Sequence, residues 1–237
     1  ITVTLSLLDD SENIEKITCG NLLNFEKEET FNESENLNIS ASSDGAGAVI
    51  NGLGECTDTV VVIPEKVTIN GVTKTVTEIG VSAFENKTNI TTVIIPEGVT
   101  KIYSGAFAGC TSLKTVKIPS TVTDIYAMPQ GGGGPSLVSP FANTNCEFVI
   151  SEDNANFKVD YTYNVVLSKD GKTLIFGNNV STGIPSTVTT IGMSSFNACK
   201  LLKSITIPAN VTRIYQWAFK NCTALTSVVF VAKTGWR

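Results

Sequence analysis

Val99-Thr-Lys-Ile102-Tyr-Ser-Gly-Ala-Phe107-Ala-Gly-Cys110-Thr-Ser-Leu113-Lys-Thr-Val116-Lys-Ile118-Pro119 is the stretch whose reading decides the fold. Its closing part is a short strand. Val116 and Ile118 point inward, while Thr115 and Lys117 point outward. Pro119 has no N–H to give to a ladder and ends the strand. The stretch then recurs as Val188-Thr-Thr-Ile191-Gly-Met-Ser-Ser-Phe196-Asn-Ala-Cys199-Lys-Leu-Leu202-Lys-Ser-Ile205-Thr-Ile207-Pro208. Phe84 to Phe107, Phe196 to Phe219, Pro96 to Pro119, Pro185 to Pro208 and Cys199 to Cys222 are each 23 residues apart. A self-similar unit of this length cannot close a core alone, so its copies must stack, with strands paired in parallel. Ala106 and Phe107 lie in a short helical or irregular turn that plugs each coil. Asn86, Gly109 and Asn221, which follow the Phe, tolerate the left-handed backbone that stops such a turn, and Ala198 in the same slot fits less well.

The period breaks in three places. Val67-Thr-Ile-Asn70-Gly71-Val-Thr-Lys-Thr-Val76 adds an Asn-Gly hairpin between β-branched runs, which predicts a cap over the first coil. Phe107 to Phe141 is 34 residues and holds the run Gly131 to Gly134. That run lacks the Gly-Lys-Ser/Thr ending of a phosphate loop and reads as a surface insertion. Between 145 and 183, Val165 to Leu167 and Leu174 to Phe176 flank Asp170-Gly171, a second hairpin. Residues 9 to 44 are acidic and polar, and Ile1 to Leu8 reads as a strand. The division expected is an acidic extension at 1–44 and a cap with hairpin at 45–78. A repeat body at 79–237 follows, interrupted by a loop at 126–140 and a β insertion at 145–183.

Composition excludes much chemistry. The net charge is −5 with no basic run, so the cationic footprint of a nucleic-acid binder is missing. No apolar stretch approaches the ~20 residues of a membrane helix. Histidine is absent, which removes Ser-His-Asp and Cys-His catalysis and every zinc site that needs imidazole. The six cysteines include no Cys-x-x-Cys pair, and no carboxylate spacing fits a calcium loop, so no metal or cofactor is expected. Cys110, Cys199 and Cys222 share one repeat slot and are expected as free, buried thiols bonded weakly to turn backbone.

The signature Val-Thr-x-Ile-Gly/Tyr, then Ala/Ser-Phe, then Cys-Thr-x-Leu, then Val/Ile-x-Ile-Pro resembles the BspA-like, or Treponema pallidum-type, leucine-rich repeats. It stands at 76–96, 99–119, 188–208 and 211–228, with a split copy at 122–150. The resemblance covers about residues 45 to 237. The predicted fold is therefore a mainly β solenoid. It is a leucine-rich repeat of 23-residue units with a parallel sheet on one face, short helical turns, a β-hairpin cap and a β insertion.

The resemblance implies an extracellular or cell-surface location and adhesion to host proteins or other cells. It supplies no catalytic residues. On the residues themselves, the outward strand positions form two columns: Thr92, Thr115, Ser204 and Ser227, and Ile94, Lys117, Thr206 and Val229. These are the candidate binding residues for an extracellular protein or glycan. A structural spacer carrying another domain is the alternative. A carboxylate-pair hydrolase is disfavoured, because the Asp and Glu residues fall in turns and in the acidic extension.

Overall fold

The computed structural model describes residues 33–127, 138–181 and 183–231, all within one compact unit, Asn32–Arg237. The expected strand at 1–8, the acidic stretch through residue 32 and most of the 126–140 loop lie outside the described residues.

In chain order the strands are β1 (Asn38–Ala41), β2 (Ala48–Gly52), β3 (Val60–Val62), β4 (Lys66–Ile69), β5 (Val72–Ile79), β6 (Thr92–Ile94), β7 (Lys101–Tyr103), β8 (Thr115–Ile118) and β9 (Asp124–Ala127). They continue with β10 (Glu147–Ile150), β11 (Phe157–Asp160), β12 (Val165–Ser168), β13 (Thr173–Phe176), β14 (Thr190–Ile191), β15 (Ser204–Ile207), β16 (Arg213–Ile214) and β17 (Ser227–Phe230).

The Val-x-Ile segments pair as expected. Strands β3, β6, β8 and β10 form a parallel ladder, with Val61, Val93, Val116 and Phe148 in register and buried. Thr92 lies opposite Thr115, the step of 23 that the sequence shows. A sheet on one face is too simple, however. The Val-Thr-x-Ile segments, expected only to bury on the far side, are strands as well. β2, β5, β7 and β9 pair in parallel and aim Ile50, Ile79, Ile102 and Ile125 into the same core. Threonine is the reason these segments extend. The Thr100 hydroxyl and N–H both donate to the Thr77 carbonyl, and Thr123 repeats this on Thr100. Each coil is thereby tied to the one before it.

The hairpins form as expected. β4 and β5 are antiparallel around Asn70-Gly71, both with positive φ. β11, β12 and β13 form an antiparallel meander turning at Asp170-Gly171. β13 then pairs in parallel with β14, and β14 with β16, so the insertion hands the chain back to the repeats. Within the acidic stretch, β1 pairs antiparallel with β2.

The short helical turns are not helices, and the described residues contain none. Ser82, Gly105, Ser194 and Trp217, two residues before each Phe, have positive φ. So do Asn86, Gly109, Ala198 and Asn221, two residues after it. Left-handed residues flanking the Phe turn alternate N–H groups outward. Ser82, Phe84 and Asn86 donate to Ser104, Ala106 and Ala108 of the next coil, while Ala83, Glu85 and Lys87 donate within their own turn. A helix would spend all of these donors internally. Here half of them join coil to coil.

The plug residues stack, though not in one column. Phe84, Phe107 and Phe141 are near parallel at 5.2 and 5.3 Å between centroids, and all are fully buried. Phe196 and Phe219 form a separate pair at 5.4 Å. The insertion separates them: Phe148 and Phe176 close the first stack edge-on and tilted. The Phe196 ring then lies directly on Gly177, where any Cβ would collide with it.

Candidate binding surface

Each candidate residue occupies an outward position of the Ile-Pro ladder. Thr92, Ile94 and Thr115 are half-buried; Lys117, Ser204, Thr206, Ser227 and Val229 are exposed. Thr92 faces Thr115, and Ile94 faces Lys117. Ser204 faces Ser227, and Thr206 faces Val229. The two sets lie in different sheets. β15 and β17 form a two-stranded sheet that does not pair with β10. The structure therefore brings the eight residues together as two patches of four, with the insertion's meander between them in the chain.

Sequence reasoning missed the outer members of the first patch. Val60 and Val62 on β3 extend the columns from Thr92 and Ile94, and Glu147 and Val149 on β10 extend them from Thr115 and Lys117. The signal for β3 was present in Ile63-Pro64, the same strand-ending pair as Ile95-Pro96 and Ile118-Pro119. β10 lacks it, because Ser151 stands where the other units have Pro.

The turns that hold this surface are fixed by local acceptors. Glu97 accepts from the Ser120 N–H and hydroxyl and from the Thr121 N–H, and these donors, the Ser120 backbone first, lower its pKa. Asn154 is fully buried and fully engaged. Its amide donates to the Pro119 and Val122 carbonyls, and its oxygen accepts from the Asn156 and Phe157 N–H groups. The strand-to-turn junction after β8 is thus tied to the start of the insertion. Asn164 and Asn178 both donate to the Cys146 carbonyl.

On the second ladder, Glu78 receives Lys101 at 3.2 Å and the Tyr103 hydroxyl at 3.0 Å. Burial, and next this hydrogen bond, push Tyr103 up to about 12. On the turn face a groove of about 400 Å³ runs past Asn86, Gly109, Asn143, Ala198 and Asn221. It is open, and Glu85, Lys200 and Thr223 also line it. Among the described residues no group of three or more His, Cys, Asp or Glu is placed to hold a metal ion. Nor is any helix there long and apolar enough to cross a membrane.

Parallel strands ended by Ile-Pro, with a buried Phe and thiol in successive turns, define a leucine-rich-repeat protein. More narrowly, the chain belongs to the BspA-type leucine-rich-repeat family, whose repeat region matches in six copies over residues 63–128 and 176–234, just over half of the 237 residues. Among solved structures, the chain is similar to the pneumococcal vaccine antigen PcpA at 15% identity, covering 84% of this chain and 70% of that one, with a TM-score of 0.40. It is similar to the Treponema pallidum leucine-rich-repeat protein at 20% identity, covering 84% and 71%, with a TM-score of 0.40. A leucine-rich cell-surface protein of Faecalibacterium prausnitzii shows 23% identity over 85% of this chain and 55% of its own length, with a TM-score of 0.40. Comparison with curated proteins finds no match.

Proposed function

We propose that this chain is a cell-surface or secreted adhesion module that binds an extracellular protein or glycan through its Ile-Pro ladder, and that it has no catalytic role and needs no cofactor. On this reading the coils form a solenoid of 23-residue units. The acidic extension at 1–44 and the cap at 45–78 precede, in the chain, the repeat body at 79–237. The observation that carries the reading is register. Thr92 with Thr115, and Ser204 with Ser227, sit side by side; the inward neighbours Val93, Val116 and Ile205 are buried in the core, while Val228 on β17 is 41% exposed. What the repeats leave variable is the outward surface, and a regular array of small hydroxyls broken by Ile94, Lys117 and Val229 suits a broad, shallow contact. Such side chains supply few aromatic or Arg anchors, so affinity per molecule is modest and display of many copies compensates by avidity.

The test replaces Thr115, Ser204 and Thr206 with Glu and measures binding to extracellular matrix proteins, glycans and cells. Loss of binding with an unchanged melting temperature is expected. Unchanged binding to a confirmed ligand, abolished instead by removing residues 128–140, places the contact elsewhere.

A further inference from the structure

The charge of this chain is divided along its length. All 22 acidic residues lie at or before Asp170, with 10 of the 17 basic residues, for a net −12. Residues 171–237 carry the other seven basic residues and no acid, for a net +7. Lys172, Lys200, Lys203, Arg213 and Lys220 are all exposed.

The same ladder slot shows the consequence twice. In the first half, Glu78, Lys101 and Asp124 are neighbours across β5, β7 and β9, so charge alternates from coil to coil. Lys101 and Tyr103 share the carboxylate of Glu78. In the second half the slot holds Thr173, Thr190 and Arg213. Arg213 and Tyr215 repeat the spacing of Lys101 and Tyr103, but the coil beneath offers Thr190 in place of an acid. The Arg213 guanidinium reaches the Tyr215 hydroxyl at 3.5 Å and lies 5.9 Å from its ring centroid. Tyr215 follows β16, the last described strand of its sheet, and is 46% exposed, whereas Tyr103 has β9 beyond it and is 8% exposed.

The turn that follows also departs from its sister coils. Trp217 stands at a φ of 62° in the slot that Ser82, Gly105 and Ser194 fill elsewhere. A bulky side chain in the left-handed region is uncommon and strained. Lys220 lies 5.4 Å over the Trp217 ring. This coil thus gathers Arg, Tyr, Trp and Lys, with Trp217 where Ser82, Gly105 and Ser194 stand and Lys220 where Glu85, Ala108 and Asn197 stand.

We propose that Arg213, Tyr215, Trp217 and Lys220 form a docking site, separate from the Ile-Pro ladder, for an acidic peptide segment of a protein partner. Arg, Tyr and Trp are the residues that carry protein–protein hot spots. A carboxylate from the partner takes the place that Glu78 takes beside Lys101 and Tyr103, bonded by Arg213 and the Tyr215 hydroxyl. The cations are interleaved with apolar side chains instead of clustered, which favours a peptide alternating acidic and apolar residues over a uniform polyanion.

The test uses the full chain and a fluorescein-labelled peptide of alternating Glu and Val, followed by fluorescence anisotropy. Binding is expected that weakens as salt screens the exposed charges. Arg213→Glu and Lys220→Glu should each weaken it about tenfold or more, the scale of a hot-spot contact. Lys101→Gln, at the slot already neutralised by Glu78, and Thr115→Glu, on the Ile-Pro ladder, should leave it unchanged, which separates this site from the ladder. Melting temperatures confirm that the variants fold. Four results overturn the proposal: no binding of the peptide, binding indifferent to Arg213→Glu, tighter binding of heparin than of the peptide, or salt-sensitive self-association that consumes the site.

Discussion

Cys110, Cys146 and Cys222 show how single residues are used here. Cys110 Sγ donates to the Phe84 carbonyl at 2.9 Å, and Cys222 Sγ to the Phe196 carbonyl at 3.0 Å, each reaching back one coil. Burial pushes Cys110 up to about 11 and Cys146 to about 12, from an ordinary value of 9.0. Because the folded values are raised, the thiols' contribution to stability is complete below pH 9 and is lost as pH climbs toward 11 and 12. The stability difference between the native chain and Cys146→Ala, measured by urea unfolding, should therefore narrow between pH 8 and pH 11. A difference constant across that range would contradict the buried, protonated state. The repeated cysteine slot was legible in the sequence because it recurs. Asn154 and Asn178 were not, because each occurs once, and a buried asparagine with all its bonds made looks in sequence like any loop asparagine.

At the scale of the element, the turn around each Phe is where sequence and structure differ most. Ala106-Phe107-Ala108 suits a short helix by propensity. What forbids it is the pair of left-handed residues at Phe−2 and Phe+2, and Ser82, Ser194, Trp217 and Ala198 do not advertise that conformation as Gly109 and Asn221 do. The Phe plug itself was legible from its spacing. Phe107 lies between Phe84 and Phe141 with no exposed surface, so Phe107→Ala should cost about 3–5 kcal/mol, the range for deleting a buried aromatic. Chemical denaturation checks this, and a variant as stable as the native chain would mean that the rings do not carry the turn. The second parallel ladder escaped the sequence reading for a related reason. Strands of two or three residues, such as Lys101–Tyr103 and Thr190–Ile191, are too short for alternation to show.

For the whole molecule, the register of the ladders sets which side chains become neighbours. A step of 23 residues pairs Thr92 with Thr115, Glu78 with Lys101, Thr190 with Arg213 and Ser204 with Ser227, while 32 residues separate Val60 from Thr92 and Thr115 from Glu147. The Ile-Pro columns were legible because Val, Ile and Pro punctuate them. Their division into two patches was not, because it follows from the β11–β13 meander, whose pairing with β14 is a long-range contact. The division of charge is plain in the sequence but gains meaning only when Glu78 and Arg213 are seen in equivalent slots. Register is therefore the central claim, and a charge-pair double-mutant cycle tests it most directly. Thr92→Glu and Thr115→Lys place opposite charges on residues that face each other across β6 and β8. This pairing gives a favourable coupling of about 0.2–1 kcal/mol in unfolding free energy, screened by salt. None is expected for Thr92→Glu with Ser204→Lys, which lies in a separate sheet. Absence of coupling between positions 92 and 115, or an equal coupling between 92 and 204, would contradict this register.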